Sequence, residues 1–401
     1  MLADASAALR RFFREVNESP FPTVLLALAI VFTGFLYPKF GGSGKGSEGG
    51  LAFPDIVIGA MIVSSMVHVL RGDWLARDEA RAISVPIFVI ALGALIGSLW
   101  SGLHGWIINF FVRDIAVILA LLSATDILRR GGTRAVRLCY GALGLCIILA
   151  AVQLGTSGGN ELRASGTFPN PNIPGHLLAI AILCWSTAPF RWSTKGTVIF
   201  LGIVGLLAAA SFGSMLQLSV GFGYLAYSNL DKAATVMRGR RLLMVLPIMF
   251  LALSAFFVYT QLSGSGQTGF NQARFNRSGG TRGEVWAQAL DKFPDAPWGV
   301  GPGSVRGYSL NDFATELHSE PLAYLIERGP IGLFGLFLMW FVMVRLAPAR
   351  TSARAMVFAY IVGSFFRETA HYRHFWMLFA LALVSAEQTR REVATREIVL
   401  A

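Results

Sequence analysis

The segment Glu316-Leu317-His318-Ser319-Glu320-Pro321 places an imidazole between two carboxylates at the mouth of a long apolar run. A histidine of ordinary pKa takes or gives a proton near neutral pH. Either Glu316 or Glu320 orients His318, or one of them is itself the base; a solvated loop histidine is the plain alternative. Upstream, Thr167-Phe168-Pro169-Asn170-Pro171-Asn172 contains two X-Pro bonds, which disfavour helix at Phe168 and Asn170. Asparagine amides both donate and accept, so Asn170 and Asn172 suit a sugar or the rim of a cavity. The simpler reading makes the stretch a helix N-terminal turn capped by Asn172. The two readings are compatible.

Cations are the second chemical resource. Arg163, Arg274, Arg277, Arg282, Arg306, Arg328, Arg367 and Arg373 lie in segments that share one side of the chain's alternating apolar runs. Guanidinium forks match phosphate oxygens bidentately, which suits a lipid-linked diphosphate; lipid headgroups or loop carboxylates are the ordinary partners. Arg113 is sharper. It lies seven residues into a run that begins near Trp106, roughly 10 Å below the boundary. An arginine deep in hydrocarbon costs about 2.5–3.5 kcal/mol, so it faces either an ion-pair partner or a polar cavity in which it binds phosphate. Arg367, His371 and His374 fall at helical spacing and read as a polar wall. No carboxylate or thiolate set accompanies the two histidines, and no metal is expected. No phosphate-binding loop, dinucleotide fingerprint or nucleophile elbow is present, so no cofactor is expected.

What must position these groups is a membrane. Of 401 residues 54% are hydrophobic and only 14% charged, against about 25% in soluble proteins. Too little charge exists to coat soluble domains. Apolar runs long enough for a bilayer fall near 21–38, 54–70, 82–100, 106–128, 138–154, 176–190, 196–212, 214–230, 242–261, 330–347, 355–370 and 374–387. The expected fold is an all-α polytopic membrane protein of about twelve transmembrane helices with one long extracytoplasmic loop. Its parts are a cytoplasmic lead (1–20), helices one to nine (21–261), the loop (262–329), helices ten to twelve (330–387) and a cytoplasmic tail (388–401). The lead carries Arg10, Arg11 and Arg14 and no small-residue cleavage site follows it.

The net charge of +11 follows the membrane and not nucleic acid. Alternate connections hold 22 of the 34 Lys and Arg residues, among them Arg71, Arg77, Arg129, Arg130, Arg350 and Arg390. The positive-inside rule makes that side cytoplasmic, with both termini on it. The other side holds the Gly/Ser-rich stretch 39–53, residues 155–175 and the 262–329 segment. The last is too long for a passive connection and contains Trp286, Trp298 and an apolar helical stretch at 284–293. Cys139, Cys146 and Cys184 lie in apolar runs without pairing motifs.

The order of motifs then becomes informative. Arg163-x-x-Gly166-Thr-Phe-x-Asn170-Pro-Asn172 is followed by Arg282-x-x-x-Trp286, by Pro297-x-Gly299-x-Gly301-x-Gly303, and by His318 with Tyr324-x-x-Glu327-x-Gly329-x-x-Gly332. From about residue 160 to 346 this resembles the O-antigen ligase/polymerase superfamily of bacterial envelope glycosyltransferases. The resemblance implies a C-type membrane glycosyltransferase architecture in the bacterial cytoplasmic membrane, with its site on the extracytoplasmic side. It implies metal-independent transfer of a glycan from a polyprenyl (undecaprenyl) diphosphate carrier to a glycan or glycolipid hydroxyl. It makes Arg282 a diphosphate ligand and His318 the activating histidine, with Arg163, Asn170 and Asn172 in the matching outer motif. Arg306 and Arg367 join as cations of the same face. The chain departs from the family at Ser211-Phe-Gly-Ser-Met-Leu, where the family carries an arginine, and at Ser319, where it carries Asn. Arg113 is a substitute cation for the first departure. The rival class is a transporter or flippase of an anionic lipid-linked glycan, which the same arginines suit; such proteins show paired repeats, and none is visible here.

Overall fold

A computed structural model describes residues 21–35, 39–40, 51–101, 105–156, 172–209, 211–228, 283–291, 293–303, 317–367, 369 and 372–400. The order is α1 (Phe21–Phe35), β1 (Lys39–Phe40), β2 (Leu51–Ala52), α2 (Phe53–Leu70), α3 (Arg77–Ser101) and α4 (Gly105–Thr156). Then come α5 (Asn172–Trp185), α6 (Trp192–Ala209), α7 (Phe212–Ser228), α8 (283–291), α9 (Glu320–Leu346), α10 (Ser352–Ser364) and α11 (Arg373–Leu400). The expected all-helical fold stands. Its one addition is the two-residue antiparallel pair, Lys39 opposite Ala52 and Phe40 opposite Leu51, which brackets a stretch read from sequence as plain loop.

The helices follow the apolar runs, because in hydrocarbon every backbone amide must find its partner within the chain. Arg77–Trp100, Phe111–Thr156, Trp192–Ala209 and Glu320–Leu346 are long and apolar enough to cross a bilayer; Phe21–Thr33, Pro54–Leu70 and Asn172–Trp185 are apolar but shorter. The run at 242–261 and most of the 262–329 loop lie outside the described residues. Three boundaries differ most from expectation. The helix expected from 330 begins at Glu320, inside the stretch read as loop. The helix expected to end at 387 runs on to Leu400, its last turns rich in Arg, Glu and Ala that favour helix in water. The run at 355–370 stops as helix at Ser364, and residues 365–367 form a turn.

Two long helices are each broken at one glycine. Gly132 in α4 (φ 61°, ψ −148°) and Gly329 in α9 (φ 64°, ψ −171°) take backbone angles that only glycine adopts freely. Unbroken, the 52 residues of α4 would reach roughly 78 Å, more than twice the ~30 Å hydrocarbon layer. The break falls within the Arg129–Arg137 stretch, where the sequence places a connection between two runs. In α9 the break leaves Pro330 to open the following limb, a position where its missing N–H costs nothing.

α1 packs on α2 and α4; α4 on α6 and α11; α5 on α6, α7, α10 and α11; and α7 on α10. Tyr140, Tyr360, Phe375 and Phe379 are fully buried at the centre, whereas Phe88, Leu99, Phe200 and Phe334 are exposed on the outer walls. Apolar exteriors of this kind suit lipid contact.

The most extensive pairing is α3 against α9, and it rests on small residues. Gly93 and Gly97 of α3 form a G-x-x-x-G spacing: Gly93 lies against Gly332 and Gly97 against Glu327 and the Gly299–Gly301 backbone, while Gly335 lies against Ile90 of α3. A Cβ at Gly93 would fall 2.5 Å from the Gly332 nitrogen, and one at Gly97 2.8 Å from the Glu327 carbonyl. In lipid, close backbone approach of this type replaces the hydrophobic effect as the packing force.

The opposite end of α3 is held by charge. Arg129 bridges Glu79 at 2.6 Å and Glu387 at 2.7 Å, tying α3, α4 and α11 together. Arg130 bridges Asp126 at 3.0 Å and Asp73 at 3.1 Å, and Asp126 also accepts from the Leu75 amide at 2.8 Å. From Glu79 to Gly97 is 18 helical residues, roughly 27 Å. The charged end and the glycine end are therefore separated by about one hydrocarbon thickness.

Gly93→Leu forces a side chain into this seam and should lower the melting temperature in detergent markedly, by the ~1–3 kcal/mol typical of overpacking. Gly59→Ala, at a position with no neighbour within 4 Å, serves as the control and should leave it unchanged. Equal melting of both variants would show that the seam is not close-packed.

Candidate active site

The turn bearing His318 is built on the glycine end of α3. Where α9 breaks at Gly329, the carbonyls of its first limb lose helical partners. The Val300 amide donates to the Ile326 carbonyl at 2.9 Å and the Gly301 amide to the Glu327 carbonyl at 2.8 Å. Gly299 must be glycine: its φ is +96°, and a Cβ there would lie 2.6 Å from the Glu327 carbonyl. The Gly299-Val300-Gly301-Pro302-Gly303 stretch is thus a backbone clamp on a broken helix. Val285, Ala289, Ala296, Val300, Leu317, Ala323 and Ile326 bury against one another beside it as a second, small core. The part of the loop that is described is folded, and it packs on α9.

Trp286 on α8 donates its indole N–H to the Leu317 carbonyl at 2.6 Å. Leu317, Ser319 and Glu320 are buried, and His318 between them is part-exposed with φ +52°. A non-glycine residue in this region carries roughly 1–2 kcal/mol of strain. Such strain persists only where the surroundings over-determine it, and it concentrates at functional sites. Here the flanking residues are pinned and the imidazole between them is half-buried, with its Nδ1 shielded from solvent.

Glu320 is 1% exposed. Its carboxylate accepts from the Thr369 hydroxyl at 2.9 Å, the Thr369 amide at 3.3 Å and the Tyr360 hydroxyl at 3.3 Å. Ser364 and Thr369 share a hydroxyl contact of 3.1 Å behind it. The start of α9 is therefore fastened to the turn between α10 and α11.

That turn carries the rest of the polar cluster. Arg367 is buried and its guanidinium lies 5.5 Å from the Tyr372 ring centre. Arg367 and His374 do not share one helix face as their spacing predicts, because Phe365–Arg367 form a turn after α10 and His374 belongs to α11, which begins at Arg373. His374 reaches α5 instead: its Nε2 lies 2.8 Å from His176 Nδ1, both rings buried, so one ring presents N–H and the other a lone pair. Asn172 opens α5 one turn before His176. Gly175 sits against Ser211 and Ser214, whose hydroxyls are 2.8 Å apart, and Gly213 abuts Phe366. The α7 start thus places two buried hydroxyls where the resemblance calls for a cation.

Of the other expected residues, Arg113 has its side chain exposed on α4, while its neighbour Asp114 pairs with buried Arg328 of α9. Arg328 also lies 4.4 Å from the Tyr324 ring centre. Arg373 pairs with Asp55. For Arg328 and Arg373 the carboxylate partners of the ordinary reading are thus realised. Glu316, Arg282, Arg163, Asn170, Arg306 and His371 lie outside the described residues. Among the described residues no three His, Cys, Asp or Glu side chains converge as a metal site. The structure brings together His318, Glu320, Thr369 and Tyr360, and separately Arg367, His374, His176 and Asn172, on linked elements at one end of the bundle. Tyr360, Thr369 and His176 carry no sequence motif; a polar side chain inside an apolar run was the available signal.

Comparison with curated proteins gives no match. The family model described as O-antigen ligase matches residues 197–337, roughly a third of the chain. That span begins in α6, includes α7, α8 and the glycine clamp, and ends in α9 beyond the His318 turn and the Gly329 break. Over that span the chain is similar to the O-antigen ligase family, which supports the resemblance read from its motifs.

Proposed function

We propose that the protein transfers a glycan from a polyprenyl diphosphate carrier to an acceptor hydroxyl at the outer face of the bacterial cytoplasmic membrane, as an O-antigen-type ligase or a polysaccharide polymerase. The observation that supports this most is the strained, pinned His318 turn, set among buried polar side chains at one end of an otherwise apolar bundle. The family match supports the same chemistry. The arginine-rich opposite end, read by the positive-inside rule, supports the outer location and a topology of about twelve spans.

In the reaction the acceptor oxygen forms a bond to the anomeric carbon as the bond from that carbon to the carrier diphosphate breaks. The acceptor proton passes to the His318 imidazole, and the departing diphosphate takes up the negative charge. Preorganised cations at the leaving group are the largest expected catalytic contribution. Arg282 is the first of these, with Arg163 and Arg306 on the same face, and Asn170 and Asn172 toward the sugar. Arg367 follows Phe366, which abuts the α7 start. It therefore stands closer to the missing family arginine than Arg113 does, and takes that role in this reading. Glu316 and Glu320 flank the histidine. Glu320, its oxygens already engaged by Thr369 and Tyr360, acts as a positioning residue that holds His318 in place.

Three outcomes are expected in nanodiscs with carrier-linked glycan donor. His318→Ala should lose about 10²–10⁴-fold in transfer while retaining carrier binding; full activity in the mutant would remove the imidazole from the chemistry. Arg282→Lys should lose about 10²–10³-fold, because lysine keeps the charge and lacks the bidentate fork; wild-type turnover would make it an ordinary loop cation. Glu320→Ala removes the acceptor of three buried donors and should cost about 1–3 kcal/mol of stability. Glu320→Gln, which still accepts, should recover much of that loss. Identical melting of Glu320→Ala and wild type would contradict the brace.

A further inference from the structure

A second site lies away from His318. A half-open cavity of about 260 Å³ sits between α3, α4 and α9, walled by Ile90, Ala91, Ile115, Ile118, Leu336 and Met339. Ile115 is exposed, so the cavity opens on the outer wall of the bundle, the wall that faces lipid in a membrane protein. Apolar lining of this kind offers water no partners, and such cavities stay dry or take apolar ligands. The volume is below the ~300–1,000 Å³ of pockets that enclose a whole small molecule, and fits a single hydrocarbon chain.

Within this mostly apolar lining the charged groups are the Asp114–Arg328 ion pair, with Tyr324 and Tyr360 also in the wall. Arg328 is 4% exposed, and its Nε finds no hydrogen-bond partner among the described residues. A buried guanidinium donor left unmatched is costly, so a ligand that supplies an acceptor there is favoured. The acceptor should be neutral: Asp114 already balances Arg328, and a phosphate would face that carboxylate as well. An isoprenoid chain has no oxygen to offer. An acyl ester carbonyl is neutral and joined to a hydrocarbon chain.

We propose that this cavity binds one acyl chain of a glycerophospholipid, with its ester carbonyl accepting from Arg328. The site is distinct from the donor site and does not depend on the transfer reading. It is nevertheless connected to the His318 turn. Tyr360 lines the cavity and donates to Glu320, so the occupied cavity supports the brace behind the histidine.

The test uses full-length protein in nanodiscs with a phosphatidylethanolamine probe carrying a diazirine in its acyl chain. Labelling should map to α3, α4 and α9. Ala91→Leu and the bulkier Ile118→Phe fill the cavity and should cut labelling there about tenfold. The melting temperature of each variant identifies one that has simply misfolded. Diester phosphatidylcholine should compete about tenfold better than its diether analogue, which lacks the carbonyl. Undiminished labelling in a folded cavity-filling variant would overturn the site. Equal competition by ester and ether lipids would overturn the carbonyl contact. Polyprenyl phosphate displacing the probe better than phosphatidylcholine would overturn the occupant.

Discussion

A helix that breaks inside a membrane protein exposes carbonyls that neither water nor the helix itself can satisfy, and that cost must be met locally. At Gly329 it is met by the amides of Val300 and Gly301. Much of the structure follows from that clamp. The clamp needs Gly299 at positive φ, it needs Gly97 of α3 to admit it, and it brings residues 293–303 against α9. With those held, Trp286 can reach the Leu317 carbonyl and fix one side of His318, while Glu320 fixes the other. The reactive turn is placed by backbone geometry first and by side-chain bonds second.

The two ends of the bundle solve different problems. At the arginine-rich end, Arg129 and Arg130 meet carboxylates from three other segments, and the pairs are part-exposed. Those arginines staple the bundle's helices. At the other end the polar groups are buried: Ser211, Ser214, Thr369, Tyr360 and the His176–His374 pair stand beside Glu320, Arg328 and Arg367. Buried polar networks are rigid when satisfied. A rigid wall suits a reaction that depends on preorganised charge at a leaving group.

Much of this was legible in the sequence, for reasons that differ by element. Hydropathy located the helices because bilayer thickness imposes a length on each run. The Gly-rich stretch 299–303 was recognisable as a tight turn, but not as a clamp, since its partners lie near residue 327. His318 stood out in the sequence with Glu316 or Glu320 as its orienting group or as the base, and the Glu320 carboxylate accepts from Thr369 and Tyr360. The burial of Glu320 was hidden, because Thr369 and Tyr360 are some forty to fifty residues away and follow no motif. Arg367 and His374 were assigned to one helix by spacing alone, and the turn that Glu320 fastens between α10 and α11 breaks that helix. Asp114, next to Arg113 in the chain, pairs with Arg328, 214 residues away. Periodicity reports one helix at a time; ion pairs between helices are not in it.

The central claim is transfer of a glycan with release of the carrier diphosphate. Its most direct measurement incubates purified protein in nanodiscs with a polyprenyl-diphosphate-linked glycan and candidate acceptors, and follows both products by mass spectrometry. The account predicts a glycosylated acceptor and free polyprenyl diphosphate in equal amounts. Intact donor moved from one leaflet to the other, with neither product formed, would contradict it.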